Sequence, residues 1–355
     1  MKAKTSPKNP APWQQTILTG MLLPVSKLML PVFLVPVFLL SATGHAQDCQ
    51  NSADLDAATR SAISAAGQRA FDLAAKGDTA SLRQNAIATL AADFSHTEVL
   101  VKDKQPDLAS AQATVRPFFL LEVEGTAPLP DAEFYCGVFG KNGQTSGSAV
   151  FSLHNLAPGK YAVVLFDAIS PKAHNSFSMI LQQVGTDWKL ADLYIEPAQI
   201  AGHDSEWFAA RAREYKTKSQ MHNAWLYYLQ SRSLISPLPF MATLATDKLY
   251  EEFQTLQPAD IPSNAKPVDL TVGAVTYKLT ALFSAPVGND LDLVVRYQIA
   301  DASNTTQAYQ TNLAVAKALI AKYPEVKDAF TAVVARAVDP SGRDFGTPLE
   351  MKDAK

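Results

Sequence analysis

The sequence predicts an α+β protein in which helices and antiparallel strands follow one another in blocks. Apolar residues recur at three- and four-residue steps over about 52–94, as they do along one face of a helix. From about residue 114 the pattern changes to short apolar runs separated by turn residues, which is typical of strands. A second helical stretch at 203–257 and a mixed segment after a proline-rich linker at 258–267 complete the pattern. Separate blocks of helices and of strands, rather than a regular alternation of strand and helix, indicate the α+β class.

Composition excludes several classes of protein. The chain has 355 residues, and its 47% hydrophobic content is too high for a disordered chain. Its net charge of −3 provides no basic surface of the kind that binds nucleic acid. One stretch near the N-terminus is long and apolar enough to be considered for a membrane, which excludes a polytopic membrane protein.

Residues 1–46 predict a secretory signal peptide. Three lysines and no acid precede an apolar region whose densest part is Leu28–Leu40, and the small residues Gly44 and Ala46 follow it. The dense part has 13 residues, whereas a helix needs about 20 to span a bilayer. We therefore expect a cleaved leader and an exported protein, periplasmic or extracellular.

Two alternatives remain open at the N-terminus. An uncleaved membrane anchor would run from Ile17 to Leu40 and tolerate Lys27, and it would be the chain's only contact with a membrane. Translation from Met21 would give a shorter leader of 26 residues. Removal of residues 1–46 lowers the basic count from 31 to 27 against 34 acidic residues, so the net charge becomes −7.

The two cysteines predict a disulfide. Cys49 and Cys136 are 87 residues apart, and an oxidising compartment would allow them to pair. The alternative is a pair of free thiols. Their separation does not match the spacing of metal ligands.

Residues 50–200 predict one α+β domain. Its first helix ends at Gly77, which can adopt the left-handed conformation of a C-cap, and Asp78 or Thr79 can cap the next helix. The strand runs that follow are 118–123, 133–139, 149–153, 161–166, 177–184 and 188–195. The last two predict a hairpin across Gly185-Thr186-Asp187.

Two motifs in this domain resemble those of NTF2-like domains. Phe71–Asp78 is similar to their opening helix, which ends in a Gly-Asp pair, and Val184–Asp192 is similar to their final hairpin. The resemblance covers about residues 66–196. It implies a curved antiparallel sheet packed against helices as a cone, whose interior binds small molecules or catalyses reactions in some members. Many members only mediate assembly, and the carboxylate and histidine dyads of the enzymes are not identifiable here.

Residues 203–257 predict two amphipathic helices around Thr217-Lys218-Ser219 and a third helix over Met241–Leu256. The pair resembles a single tetratricopeptide unit, and the residues at matching offsets are Ala212, Tyr215, Ala224 and Tyr228. One such pair cannot form a solenoid, so we expect it to bridge domains or to dock on a neighbour.

The last predicted domain is 268–355. The linker before it, 258–267, contains three prolines and few apolar residues. The order of elements is ββαβ with an added edge strand, and their positions are 274–284, 291–299, 307–323, 330–338 and 348–351. We expect a small α+β domain.

Three residues are candidates for a ligand pocket. Asp167 ends the most buried strand, His174 lies in the loop that follows, and Tyr135 lies on an earlier strand. A carboxylate that faces a cone interior can act as a general base. The structural alternative is that Asp167 accepts backbone hydrogen bonds in its own turn.

His203 and Glu206, three residues apart, with His222 on the next helix, are the candidates for a metal site, which we do not predict. A simpler interpretation explains the cluster. Asp204 or Ser205 caps a helix, and Glu206 lies in its first turn, where acids are favoured.

Trp225, Tyr227 and Tyr228 form an aromatic-rich stretch. Aromatic residues are enriched at partner surfaces, so these three are candidates for binding a protein or peptide. The alternative is that they form the core between helices, as aromatic residues at helical spacing often do.

The sequence contains no Gly-x-Ser-x-Gly nucleophile motif and no phosphate-binding glycine loop, so it predicts no cofactor and no catalytic type. We expect an exported, non-catalytic binding or scaffolding protein with a protein or peptide partner. One alternative is a small-molecule binder or enzyme that uses the cone interior. Another is an envelope subunit held by an uncleaved N-terminal helix.

Overall fold

A computed structural model describes residues 47–141 and 143–354. The predicted leader, its cleavage site and the alternative start at Met21 lie outside the described residues. Within the described part of the chain, no helix is both long and apolar enough to cross a membrane. The described residues belong to one unit, His45–Lys355. Its helices and largely antiparallel sheets confirm the α+β class.

The first helices begin and end close to the predicted positions. After strand β1 (Gln47–Asn51), they are α1 (Ala57–Lys76), α2 (Thr79–Gln84), α3 (Ala88–Ala92) and α4 (Ser95–Leu108). Gly77 ends α1 with a φ of 70°, and Asp78 caps α2 by accepting from the N–H of Ser81, both as predicted. The second predicted helix is divided into α2 and α3, and α4 lies beyond the predicted helical stretch.

The strands of the first part form two main sheets. They are β2 (Gln112–Val115), β3 (Phe119–Val123), β4 (Leu129–Cys136), β5 (Phe139–Gly140), β6 (Gly143–Gln144), β7 (Ala149–Leu156), β8 (Gly159–Ile169), β9 (His174–Val184) and β10 (Asp187–Pro197). The larger sheet has the order β1-β3-β8-β9-β10, and β2 also pairs with β8. The smaller sheet has the order β11-β7-β4, in which β11 (Met241–Thr243) comes from much later in the chain. The predicted hairpin between β9 and β10 is confirmed, with Gly185 at a φ of 63°.

The two faces of the larger sheet pack against different layers. Successive strand residues point to opposite faces. Val164 and Phe166 of β8 therefore belong to a core shared with α1, α2 and α4. Val163 and Leu165 belong to a second core, shared with the smaller sheet.

A disulfide joins the two sheets. Cys49 of β1 and Cys136 of β4 are bonded, with their Cα atoms 5.2 Å apart. The predicted pairing is confirmed, and among the described residues no cysteine remains free.

The second part of the molecule contains the remaining elements. They are α5 (Ser205–Thr217), α6 (Met221–Ile235), α7 (Leu244–Phe253), β12 (Val268–Val272), β13 (Val275–Val287), β14 (Asp290–Gln298), α8 (Thr305–Lys322), β15 (Ala332–Val338) and β16 (Asp344–Glu350). The predicted helix over Met241–Leu256 starts only at Leu244, because the preceding residues pair with β7 as β11. The sheet has the order β12-β13-β14-β15-β16, with β14 and β15 parallel.

The helices α5–α7 and this sheet share one core. The hydroxyl of Tyr215 donates to the carbonyl of Asp328 at 2.9 Å. The hydroxyl of Tyr227 donates to the carbonyl of Ala329 at 2.7 Å. The segment 258–267 therefore connects two parts of the chain that pack against each other.

Candidate binding cleft

The layer between the first helices and the larger sheet is filled with side chains. The rings of Phe71, Phe166 and Phe177 lie with centroids 5.1 to 6.4 Å apart. The cavity beside α1 and β10 has a volume of about 20 Å³, far below the roughly 300 Å³ at which small-molecule sites begin. Asp167 follows Phe166 and points to the opposite face, so the expectation that it faces a cone interior is wrong.

A much larger space lies on that opposite face, and we call it the amphipathic cleft. Its volume is about 500 Å³, within the range of about 300–1,000 Å³ that is usual for small-molecule sites. Phe119, Leu165, Met241 and Leu244 give it apolar walls. The charged residues among its described lining are Arg116 and Lys248, so these walls carry positive charge and no carboxylate.

Strand pairing holds Arg116 at the mouth of the amphipathic cleft. Its backbone N–H donates to the carbonyl of Leu165 at 2.8 Å, which continues the pairing of β2 with β8. The side chain is 44% exposed, and its Nε lies 3.6 Å from Oδ2 of Asp167. A pair this long and this exposed leaves the guanidinium able to bind another anion.

The opposite wall is the beginning of α7. The hydroxyl of Thr243 accepts from the N–H of Thr246, and the hydroxyl of Thr246 accepts from the N–H of Thr243, so a capping box fixes where the helix starts. Lys248 lies one turn later and makes no ion pair with any residue that the structure describes. Its ammonium group is therefore available to a ligand.

A smaller space, the adjoining pocket, meets the amphipathic cleft at Arg116 and has a volume of about 230 Å³. Asp167, His174 and Ser176 line it, so two of the three predicted pocket residues lie together. Nε2 of His174 is 3.8 Å from Oδ1 of Asp167, which is longer than a hydrogen bond. The hydroxyl of Ser176 is buried and has no hydrogen-bond partner among the described residues. This arrangement offers polar groups to a ligand but not a hydrogen-bonded Asp–His dyad.

Tyr135, the third predicted pocket residue, lies elsewhere. Its side chain is 59% exposed on β4, its ring contacts Phe139, and its hydroxyl donates to Glu133 at 2.8 Å. That hydrogen bond raises the pKa of the Tyr135 hydroxyl. The prediction that Tyr135 and Asp167 share a pocket is wrong, because Tyr135 lies on the exposed face of β4 and does not line the adjoining pocket.

The aromatic stretch of α6 is mainly core. Tyr227 and Tyr228 are 5% and 1% exposed, so their prediction as a partner surface is wrong. Trp225 is half-buried, and its ring lies 5.6 Å from that of Phe253. Burial, with a contribution from the carboxylate of Glu252, raises the pKa of Tyr228 to about 12.

The metal-site candidates do not converge. The ring of His203 stacks on Trp207 at 3.6 Å, and Glu206 pairs with Arg213 at 2.8 Å. His222 lies between Glu325 and Asp260 on other elements. Among the described residues, no group of three or more His, Cys, Asp or Glu side chains could hold a metal ion.

The helix-capping interpretation of the same cluster is confirmed. Asp204 accepts from the N–H of Trp207 at 2.9 Å at the start of α5.

Sequence reasoning missed the residues that define the amphipathic cleft. Arg116 follows β2, Leu165 is an ordinary core residue of β8, and Lys248 lies on α7. No motif connects them, because they meet only when β11 joins the smaller sheet and brings α7 to the larger one. In comparisons with known proteins, no protein-family model, no curated protein and no solved structure matches the chain.

Proposed function

We propose that this chain is an exported, non-catalytic binding protein whose amphipathic cleft holds a small molecule with an apolar body and an anionic group. The observation that carries the proposal is the composition of the cleft. Its walls are apolar, and the charged groups of its described lining are the cations Arg116 and Lys248.

The two parts of such a ligand would be held by different forces. Each 100 Å² of apolar surface that leaves water contributes about 2.5 kcal/mol, and Phe119, Leu165 and Met241 provide the apolar contact. A carboxylate or a similar group would pair with the planar guanidinium of Arg116, which can donate two parallel hydrogen bonds. A neutral ligand of the same shape would bury the same apolar surface but would lack the ion pair with Arg116.

The export part of the proposal rests on two observations. Residues 1–46 have the three parts of a signal peptide. The disulfide between Cys49 and Cys136 suits an oxidising compartment. The NTF2-like and tetratricopeptide-like assignments also remain proposals, and helices that cover one face of the larger sheet are compatible with the former.

The structure favours a small-molecule ligand over the other functions that the sequence suggests. A partner surface on α6 would need Tyr227 and Tyr228 to be accessible, and both are buried. An enzyme that uses Asp167 as a base in the cone interior would need its side chain to face the helices, and it points to the opposite face from Phe166. A small-molecule ligand in the amphipathic cleft requires neither of these conditions, because the cleft is already open in the structure.

Calorimetric titration of the purified exported protein tests the proposal. Dodecanoate is the anionic probe, and dodecanol and dodecyltrimethylammonium are neutral and cationic probes with the same apolar chain. We expect dodecanoate to bind most tightly. Arg116→Gln should weaken dodecanoate about tenfold or more, as expected for a lost hydrogen bond to a charged group, and leave dodecanol unchanged.

Lys352→Gln removes an exposed cation outside the amphipathic cleft and is the matched control. A second variant, Ala245→Trp, places a large ring in the cleft and should weaken all three probes. Equal affinity for the anionic and neutral probes would exclude the anionic preference. If no probe binds, or if Ala245→Trp has no effect, the cleft is not the binding site.

A further inference from the structure

A second cavity lies where the first part of the molecule meets the β13–β14 hairpin. Its volume is about 590 Å³, and its walls come from α4, the turn between β8 and β9, the segment after β10 and the hairpin turn Gly288-Asn289. It shares no described lining residue with the amphipathic cleft. The two spaces can therefore be tested independently.

The charged groups of the second cavity favour an anion. Lys104 projects from α4 and Lys172 from the turn after β8, and neither makes an ion pair with a residue that the structure describes. Asp107 is the carboxylate among the described lining residues. Side-chain amides of Asn175, Gln199 and Asn289 add further hydrogen-bonding groups.

One of these amides is buried and lacks a partner. Asn175 is only 2% exposed, and its Nδ2 makes no hydrogen bond with any described residue. Nε2 of the neighbouring His174, which also lines the cavity, is buried, lies 3.8 Å from Oδ1 of Asp167 and makes no hydrogen bond with a described residue. Buried polar groups are normally satisfied, so an unpartnered amide beside a cavity indicates a position where a ligand accepts a hydrogen bond.

We propose that the second cavity binds a small hydrophilic oxyanion, a phosphate or carboxylate group on a polyhydroxylated molecule. The ammonium groups of Lys104 and Lys172 pair with the oxyanion, and Nδ2 of Asn175 donates to one of its oxygens. The carboxylate of Asp107 accepts from a hydroxyl of the same molecule. This chemistry differs from that of the amphipathic cleft, whose walls are mainly apolar.

Titration of the purified exported protein with three probes tests this inference. Inorganic phosphate represents a phosphate group, glucuronate represents a sugar acid, and methyl glucoside carries hydroxyls without charge. We expect phosphate or glucuronate to bind with a dissociation constant of about 1 mM or tighter and methyl glucoside not to bind. The tighter of the two anions identifies which oxyanion the cavity prefers.

Variants locate the binding. The double variant Lys104→Gln/Lys172→Gln should weaken the anion about tenfold or more. Asn175→Asp, which replaces the buried donor with an acceptor of the same shape, should do the same. Lys102→Gln is the matched control, because Lys102 lies on the same helix and pairs with Glu98 instead.

Because Lys172 is exposed and Lys104 is only half-buried, the double lysine variant keeps the inference testable if Asn175→Asp fails to fold. The inference is overturned if neither anion binds, or if the double variant binds as tightly as Lys102→Gln. Dodecanoate is measured on the same variants. Unchanged dodecanoate binding separates a failure of the second cavity from a failure of the amphipathic cleft.

Discussion

Asp339 organises the turn between β15 and β16 through its carboxylate. It accepts from the hydroxyl of Ser341 at 2.6 Å and from Nε of Arg343 at 2.7 Å. The backbone N–H groups of both residues and of Ala302 also donate to it. These donors, with the Ser341 hydroxyl contributing most, hold the pKa of Asp339 well below its ordinary value.

Asp339→Asn should therefore lower the free energy of unfolding in a pH-dependent way. The carboxylate has a lower pKa in the folded state than its unfolded value of about 3.9. Its stabilisation is fully present above the unfolded pKa and is lost as the pH falls through the folded pKa. Urea unfolding at pH 7 and pH 3 should show a difference between wild type and variant that is larger at pH 7.

Asp269→Asn is the control for this measurement, because Asp269 is 62% exposed and makes one ion pair, with Lys278. Surface pairs of this kind contribute about 0–1 kcal/mol. A difference for Asp339→Asn that is the same at both pH values, or as small as that of the control, would contradict the assigned role.

Single residues were predictable where the rule that governs them is local. The caps at Gly77, Asp78 and Asp204 depend on neighbours within a few positions, and the sequence predicts all three. Arg116 and Lys248 carry no such signal, because their significance arises from tertiary packing around the amphipathic cleft.

At the scale of elements, the apolar strands were predictable and the polar elements were not. β8 contains the continuous apolar run Tyr161–Phe166, and β9 contains Phe177 and the run Met179–Leu181. α4 has buried side chains only at Thr97, Val101 and Leu108, so it presents a weak helical stripe. β1 has the sequence Gln-Asp-Cys-Gln-Asn, which shows no alternation and forms a strand because it pairs with β3.

The disulfide is expected to stabilise the position of β1. Closing a loop of 87 residues should raise the free energy of unfolding by about 4.6 kcal/mol in the chain-entropy model. The double variant Cys49→Ala/Cys136→Ala should lose about this amount in urea unfolding. In the double variant, amide hydrogen exchange should accelerate more in β1, at the edge of the sheet, than in β9, which pairs with a strand on each side.

Reductant provides the control for this element. Wild-type protein should lose stability when dithiothreitol is added, whereas the double variant should not respond. If wild-type stability is unchanged after mass spectrometry shows both thiols reduced, the disulfide does not contribute to stability.

At the scale of the whole molecule, one core joins segments that the sequence assigns to separate domains. Leu226 and Tyr228 of α6 lie in the same cluster as Leu293 of β14 and Val333 of β15. The proline-rich segment 258–267 has the composition of a linker. Composition does not determine whether the parts on either side of a linker pack together. The packing of apolar faces decides this, since α5–α7 and the sheet each need the other to bury theirs.

Because of this shared core, α5–α7 and the C-terminal sheet should unfold together. Leu293 is 0% exposed, so Leu293→Ala removes buried contacts and should lower the free energy of unfolding by about 2–5 kcal/mol. Hydrogen exchange should become faster in α6 as well as in β13 and β14, although α6 keeps its own sequence. Amides of α1, which packs in a different core, should change less.

Leu181→Ala provides the converse experiment, because Leu181 is 1% exposed in the core between the first helices and the larger sheet. This variant should accelerate exchange in α1 more than in α6. The contrary outcome is that Leu293→Ala accelerates exchange only in the sheet and leaves α6 protected. In that outcome the helices and the sheet unfold independently, and segment 258–267 separates two units of folding. Common acceleration of α6 and β14 would show that these segments unfold as one cooperative structure.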